Sequence, residues 1–328
     1  MKLFKNIKKW LENQEHLFYL FLLILIVPNI ILCFTEPMPV VAKVCNVLLP
    51  FAFYYLLMTL SRNCGKMFWI LFLFIFFGAF QIVLLYLFGQ SIIAVDMFLN
   101  LVTTNSSEAM ELLDNLVPAL VSVIILYIPA LILAAISIIK KRKLSLEFIR
   151  RERKKAWIAL LIGFISLSAA YGLDKRYELK SDLYPANVCY NVALAFQRNA
   201  QTRTYHRTSE NFTFNAQPSH SEDRREIYIM VVGETSRALN WSLYDYDRDT
   251  NPELSKIEGV TSFCHVLTES NTTHKSVPML LSPVSAQNFD SIYYRKSIIT
   301  AFKEAGFQTA FFSNQRYNHS FIDFFGME

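Results

Sequence analysis

The sequence predicts an α-helical membrane domain of about five spans followed by a soluble α/β domain. The chain has 328 residues, 53% of them hydrophobic, and a mean hydropathy of +0.28. Long apolar runs lie before residue 172 and charged residues are more frequent after it, a division that predicts two domains in different surroundings. The net charge is +5, but the basic residues flank apolar runs, which favours membrane topology over nucleic-acid binding.

Five segments are apolar enough, and long or nearly long enough, to cross a membrane as helices, since a span needs about 20 residues. They are approximately 16–34, 41–60, 67–89, 117–139 and 156–172, within a membrane domain of residues 1–173. The second segment contains Asn46 and Pro50. A proline is tolerated in a span when neighbouring groups satisfy the carbonyl that it leaves without a partner.

The charges of the loops predict the orientation of the spans. Three segments are basic: the amino terminus, the loop that contains Arg62 and Lys66, and the run 140–155. The loop 90–116, in contrast, has four acidic residues and no Lys or Arg. Basic loops stay in the cytoplasm. We therefore expect a cytoplasmic amino terminus, with the loop 90–116 and everything after residue 172 outside.

Residues 174–225 are polar and predict a linker that contains a short amphipathic helix. Val188, Val192 and Phe196 are four residues apart and would share one helix face. That face could lie on the membrane surface, or the helix could be a plain linker; the sequence leaves both interpretations open.

Residues 226–328 predict the beginning of an α/β sandwich with a largely parallel sheet. The apolar run 226–232 and the segment 259–270 have the composition of strands, and 297–315 predicts a helix, a stop at Gly306 and a third strand. Ligands of such sheets bind beyond the carboxyl ends of the strands, which is where Glu234 and Asn314 fall.

Two motifs in this part carry a resemblance to a known family. The segments GETSRALNWSLYDYDRDTNP (233–252) and TESNTTHKSVPML (268–280) resemble the phosphoethanolamine transferases that modify lipid A. These enzymes are a membrane branch of the alkaline phosphatase and sulfatase superfamily, and the resemblance extends back through the five spans. It implies that the soluble domain has the sulfatase type of α/β sandwich and that only its first part is present.

The resemblance also implies a zinc site in which Glu234 is a metal ligand and Thr273 is both a ligand and the nucleophile. Zinc coordination lowers the pKa of a hydroxyl, which gives a threonine the reactivity that it otherwise lacks. Pro278 cannot lie deep within a helix, so a helix is expected to begin near Ser276, with Thr273 beside its amino end. The structural alternatives are a capping role for each of the two residues.

A second group of residues is predicted to bind the substrate head group. Asn100, Thr104 and Glu108 are four residues apart, so a helix would align them, and the resembled family uses such a helix to hold the head group. A carboxylate suits the amine of ethanolamine; the alternative is a solvated helix face. Asn314 is assigned to substrate binding because of its position after the third predicted strand.

The implied activity is zinc-dependent transfer of phosphoethanolamine from phosphatidylethanolamine to lipid A or a related surface glycan. The reaction would pass through a phospho-threonine intermediate, in a protein of the bacterial inner membrane whose soluble domain is periplasmic. Glycerol-phosphate transfer is an alternative within the superfamily, although Glu108 opposes it because glycerol has no cation. The other alternative is a non-catalytic membrane protein or a subunit.

Three departures from the family pattern qualify these expectations. Asp245 stands where family members commonly have glycine, so either this turn position is strained or the backbone differs locally. Glu269 and Met279 replace cysteines, so a local disulfide is absent. The sequence ends at residue 328, before the Asp-His pair and the further histidines that the resemblance implies as zinc ligands. We therefore expect the chain to be an incomplete and inactive fragment.

Overall fold

The computed structural model describes residues 6, 9–88, 106–219, 225–233, 236–314 and 320–328, and for 88 and 106–115 it describes the backbone alone. The chain divides into two compact units, residues 1–196 and 197–328.

The first unit is built from apolar helices. They are α1 (Gln14–Thr35), α2 (Val40–Met58), α3 (Cys64–Ile70), α4 (Phe72–Phe88), α5 (Ser106–Ile139) and α6 (Leu146–Leu173). In the described part of the chain, α1, α2, α6 and the Leu116–Ile139 part of α5 are each long and apolar enough to cross a membrane. The pair α3 and α4 adds a fifth span if it is counted as one. The prediction of about five spans is confirmed.

The interior of this unit is aromatic and closely packed. Phe21 of α1 stacks on Phe68 of α3 with ring centroids 4.5 Å apart, and Phe18 meets Phe148 of α6 edge-on at 5.4 Å. Apolar side chains also cover the outside of the helices, where lipid would replace water as the solvent. Packing between side chains therefore holds the helices together, since apolar burial gives little driving force in lipid.

The third predicted span is broken, although its sequence reads as one apolar run. Helices α3 and α4 are bent by 62° at Leu71, and neither proline nor glycine stands at the break. Polar contacts hold the amino end of α3. The side chain of Asn63 caps α3 through the amide of Lys66, and its Nδ2 donates to the carbonyls of Ser137 and Arg142 at 3.2 and 2.9 Å.

The two basic loops predicted to be cytoplasmic lie at the same end of the helices and contact each other. The amide of Leu144 donates to the carbonyl of Arg62 at 2.7 Å, and Arg62 Nε donates to the carbonyl of Leu144 at 2.9 Å. This contact agrees with hairpins that return to one side, as alternating spans require.

Pro50 interrupts α2 and is compensated from the neighbouring helix. A proline at position 50 has no N–H for the carbonyl of Asn46, four residues earlier. Asn29 Nδ2, from the fully buried side chain on α1, donates to that carbonyl at 2.8 Å and to the carbonyl of Tyr184 at 2.7 Å. The expected compensation at this proline is thus present.

The segment that follows the last span returns to the helices. It contains α7 (Leu179–Asp182) and α8 (Ala186–Arg203), and Asn46 Nδ2 donates to the carbonyl of Asp182 at 2.6 Å. A helix is present where the amphipathic helix was predicted, but only part of its apolar face is buried. Val188 is fully buried in a cluster with Leu32 and Leu84, whereas Phe196 is 72% exposed.

The second unit has a small core assembled from short helices. These are α9 (Tyr205–Thr208), α10 (Thr273–Leu281), α11 (Ile298–Glu304), α12 (Phe321–Gly326) and the 3-10 helix Ala286–Tyr294. Their buried side chains include Tyr205, Met279, Ile292, Phe324 and Phe325. The core thus joins α10, which carries Thr273, to helices distant in sequence.

Carboxylates hold both ends of α11. At its amino end, Glu328 Oε2 accepts from the amide and hydroxyl of Ser297 at 2.8 and 2.6 Å, and Glu328 also contacts the hydroxyl of Tyr205. Burial and this contact raise the pKa of Tyr205. At the other end, Glu304 accepts from the amides of Phe214 and Ala216, each at 3.0 Å.

The predicted strands are absent from the described residues of the second unit. Segments 226–232 and 259–270 have no ladder hydrogen bonds in the part of the chain that the structure describes, and the same holds for 307–314. A segment with strand propensity forms a sheet only when another strand lies about 4.8 Å away and pairs with it. The side chains confirm the lack of such a neighbour, since Ile229 and Val231 are 83% and 86% exposed. The helix stop at Gly306 is confirmed, with φ +89° and an amide that donates to the carbonyl of Lys303.

Candidate active site

Thr273 is the first residue of α10 and lies half-buried in the second unit. The expectation that it stands at the amino end of a helix is confirmed, but the expected start near Ser276 is wrong. The helix begins three residues earlier and has Pro278 at its sixth position. Burial of Pro278, Met279 and Leu281 in the core accompanies this proline and offsets the hydrogen bond that it cannot make.

The segment before Thr273 turns its hydroxyl groups toward each other rather than toward the helix. Thr272 is the N-cap, and its side chain makes no capping hydrogen bond. Instead Thr272 Oγ1 lies 3.1 Å from Ser270 Oγ, which also accepts from the amide of Thr272 at 3.3 Å. Thr272, not Thr273, therefore occupies the N-cap position of α10. The first turn of α10 keeps the positive end of its dipole toward Thr273.

The replacement of a family cysteine by Glu269 has a structural consequence. The carboxylate of Glu269 accepts a hydrogen bond from the amide of Ala286, at the start of the 3-10 helix. Met279, at the other replaced position, is buried in the core. A hydrogen bond and apolar packing thus connect segments around α10, as expected for a chain without the local disulfide.

The first motif folds back on itself through its polar side chains. Thr250 Oγ1 accepts from the amide of Ser242 at 3.0 Å and donates to the carbonyl of Asn240 at 2.7 Å. Ser242 Oγ accepts from the amide of Asn251 at 3.1 Å. Between these halves Asp245 has φ +64°, in the left-handed region, which favours a strained turn position over a different local backbone.

Most of the other predicted site residues are not placed by the structure. Glu234, Asn100 and Thr104 lie outside the described residues, and Glu108 lies within α5 where the backbone alone is described. Asn314 is described, in an exposed bend. Its assignment to substrate binding and that of the other three residues remain predictions, as does the metal role of Glu234.

The described residues contain no group of three or more His, Cys, Asp or Glu side chains that could hold a metal ion. Thr273 alone among the predicted ligands is both described and positioned. The described residues therefore do not amount to a zinc site.

A cavity of about 570 Å³ lies in the second unit, beside α10. Four ionisable side chains line it: Arg198, Glu269, Lys275 and Asp290. Sequence reasoning missed Arg198, Lys275 and Asp290 as site residues. Lys275 lies within the second motif, two residues after Thr273, but Arg198 and Asp290 reach the same place only through packing.

Comparison with known protein families identifies this part of the chain. Residues 226–328 match the sulfatase family. The second unit contains a sulfatase-family domain. The match covers the motifs around Asp245 and Thr273 and confirms the superfamily that they indicated, although the described residues show no sandwich.

The most similar relatives have names that agree with the predicted resemblance. Phosphatidylethanolamine transferase Mcr-1 of Escherichia coli is 37% identical over 82 residues, which are 24% of this chain and 15% of that protein. Phosphoethanolamine transferase EptA of Salmonella typhimurium is 35% identical over 86 residues, 26% of this chain and 16% of the relative. Phosphoethanolamine transferase CptA of the same organism is 31% identical over 101 residues, which are 30% of this chain and 18% of that protein.

The resemblance to phosphoethanolamine transferases is thus confirmed over the matched segments. The chain spans less than a fifth of the length of these curated relatives in the aligned regions. No solved structure matches the chain significantly.

Proposed function

We propose that the protein transfers phosphoethanolamine from phosphatidylethanolamine to lipid A or a related surface glycan, with Thr273 as the nucleophile. The observation that supports this most directly is the position of Thr273, at the first residue of a helix within a sulfatase-family domain. A hydroxyl at that point has the helix dipole to favour both its alkoxide and a bound phosphate. The names of the relatives supply the substrate class.

The proposed reaction has two steps that share one phosphorus atom. In the first, Thr273 Oγ1 attacks the donor phosphorus, the bond from phosphorus to the diacylglycerol oxygen breaks, and diacylglycerol leaves with the proton. In the second, an oxygen of the acceptor attacks the same phosphorus and displaces Thr273 Oγ1, which regains a proton. The amino end of α10 would stabilise negative charge on the phosphoryl oxygens in both steps.

The metal that we propose is zinc, with Glu234 and Thr273 as two of its ligands. Zinc would supply a lower pKa for the Thr273 hydroxyl. Catalytic zinc sites typically have three protein ligands, so the proposal needs at least one further ligand. The residues proposed for the ethanolamine head group are Asn100, Thr104, Glu108 and Asn314.

The proposed location is the bacterial inner membrane, with a cytoplasmic amino terminus and a periplasmic sulfatase-family domain. The helices that can cross a membrane make this a multi-pass protein. Both proposed substrates are lipids, so an enzyme anchored beside the bilayer meets them without extracting either one. The distribution of basic loops supports the orientation.

Replacing Thr273 tests the proposed function. In cells that express the protein from its own gene, Thr273→Ala should abolish the phosphoethanolamine addition to lipid A, because the proposed reaction requires attack by the Thr273 hydroxyl. Mass spectrometry of extracted lipid A measures this. Thr272→Ala is the matched control and should retain the product, because Thr272 bonds to Ser270. A product that persists in Thr273→Ala would overturn the proposal.

The metal requirement has a separate test. We expect the 328-residue chain expressed by itself to bind zinc weakly and to show no turnover, because Glu234 and Thr273 supply fewer ligands than a catalytic site needs. Zinc titration with a transfer assay checks this, and turnover with tight stoichiometric zinc would contradict it. For the protein from its own gene, removal of zinc by a chelator should stop transfer and zinc should restore it.

Labelled donors distinguish the proposed reaction from glycerol-phosphate transfer. Lipid carrying labelled ethanolamine should transfer its label, whereas phosphatidylglycerol labelled in the head group should not. Transfer of the glycerol label alone would favour the alternative.

A further inference from the structure

The cavity beside α10 lies on a different part of the helix surface from Thr273. Lys275 and Met279, which are four residues apart and share a helix face, both line it, and Thr273 is not among its lining residues. The 3-10 helix Ala286–Tyr294 forms the opposite wall through Phe289 and Asp290. Its volume of about 570 Å³ is in the range of small-molecule sites.

The charged groups of the cavity are of both signs in equal number. Arg198 and Lys275 provide two cations, and Glu269 and Asp290 provide two carboxylates. Arg198 and Asp290 act on one hydroxyl from nearby: burial raises the pKa of Tyr293, Arg198 lowers it and Asp290 raises it. A ligand with a single charge would therefore meet like charge as well as opposite charge in this cavity.

Some of these side chains are held in place by the walls. The hydrogen bond from Ala286 fixes the carboxylate of Glu269 at the start of the 3-10 helix. Lys275 Nζ lies 5.8 Å from the ring centroid of Phe289, a cation–π contact that keeps the ammonium at the cavity wall. Met279 and Phe289 add an apolar surface that suits a short methylene chain between two charged groups.

We propose that this cavity binds a small zwitterion that carries a phosphate and a primary ammonium group, at a site separate from Thr273. The phosphate would contact Arg198 and Lys275, and the ammonium would contact Asp290 and Glu269. The inference rests on the proposed function for its choice of phosphoethanolamine as the probe. It adds a second position at which such a head group is held.

Isothermal titration of the 328-residue chain in nanodiscs free of phosphatidylethanolamine tests the inference. Phosphoethanolamine should bind more tightly than glycerol 3-phosphate, which has the phosphate and no ammonium. Lys275→Gln should weaken both ligands by about fivefold, the size expected for one partly exposed ion pair. Asp290→Asn should weaken phosphoethanolamine alone, again about fivefold, and so remove the discrimination between the ligands.

Two controls locate the site and separate this inference from the proposed function. Thr273→Ala should bind phosphoethanolamine like the unsubstituted chain, because Thr273 does not line the cavity. Thermal unfolding of each variant verifies that the fold is kept. Loss of transfer in Thr273→Ala of the protein expressed from its own gene, with binding retained in Thr273→Ala of the 328-residue chain, supports both proposals. Transfer retained in Thr273→Ala of the protein from its own gene overturns the proposed function alone.

Nanodiscs that contain phosphatidylethanolamine distinguish the source of the head group. If they weaken the binding of soluble phosphoethanolamine, the cavity takes the head group of a lipid; if they leave it unchanged, the cavity takes a soluble zwitterion. The inference is overturned if phosphoethanolamine does not bind, if glycerol 3-phosphate binds equally well, or if both variants bind like the unsubstituted chain.

Discussion

Asn29 shows how one side chain can make a helix sequence compatible with a membrane. Proline at position 50 leaves the carbonyl of Asn46 without its helical partner, and Asn29 satisfies it from α1. The same amide nitrogen holds the carbonyl of Tyr184, after the last span. Asn29 therefore fastens both a neighbouring helix and the segment that leads to the second unit.

The role of Asn29 can be measured with a double-mutant cycle. Asn29→Leu should lower the free energy of unfolding by about 1–2 kcal/mol, because two buried carbonyls lose their donor. In a Pro50→Ala background the cost should be smaller, since the amide of Ala at position 50 can bond to the carbonyl of Asn46. Unfolding in detergent micelles measures both costs, and equal costs in the two backgrounds would contradict the account.

The residues of the site divide into those that a local pattern predicts and those that it does not. Thr273 and Asp245 belong to short motifs, and Thr273 lies at the amino end of a helix as predicted, although that helix begins earlier than expected. Arg198 and Asp290 were missed because no local pattern connects them to the motifs. Folding of α8, α10 and the 3-10 helix brings them to one cavity.

At the scale of elements, the carboxylate at the carboxyl end of α11 holds residues 214–216. The carboxylate of Glu304 accepts from the amides on both sides of Asn215, whose φ of +54° turns them toward it. The hydrogen bonds to Ala216 and Phe214 hold the pKa of Glu304 below its ordinary value of 4.5. The ionised form thus stabilises the attachment of residues 214–216 to α11.

This attachment should be pH-dependent. Because the folded pKa of Glu304 is depressed, its contribution is complete above about pH 4.5 and is lost as the pH falls through the lower folded value. Hydrogen-exchange protection of the amides of Phe214 and Ala216 should therefore decrease as the pH falls below about 4.5. In Glu304→Gln, protection should be lower at neutral pH and no longer change with acidification. Unchanged protection in the original protein would refute this role.

The spans could be predicted and the strands could not, for one physical reason. A span is fixed by its own composition, because every backbone group is satisfied within the helix and lipid requires a long apolar run. The backbone hydrogen bonds of a strand are made to a neighbouring strand, which cannot be identified from the strand's own sequence. The apolar run 226–232 therefore predicted a strand where the described residues show none. The bend at Leu71 was not predicted either, because neither proline nor glycine marks the break in the sequence.

At the scale of the whole molecule, the central architectural prediction is its orientation. Three basic segments and one acidic loop predict that residues after 172 are outside the cytoplasm. The native cysteines provide a test, because Cys189 and Cys264 are exposed while Cys45 and Cys64 are buried.

A membrane-impermeant maleimide should label intact spheroplasts that express the protein. Labelling should disappear in the Cys189→Ser, Cys264→Ser double variant, which leaves the other three cysteines in place. Mass spectrometry of the labelled peptides identifies the sites. Labelling of Cys189 and Cys264 that required permeabilised membranes would place the sulfatase-family domain in the cytoplasm and contradict the orientation.

The proposed catalysis depends on a covalent bond between Thr273 and the transferred group. The most direct measurement is mass spectrometry of the protein from its own gene, after incubation with labelled phosphatidylethanolamine and no acceptor. The account predicts one phosphoethanolamine group on the peptide that contains Thr273, and none in Thr273→Ala. The account would be contradicted if labelled diacylglycerol were released while the phosphoethanolamine group was found on another residue, or on no residue of the protein.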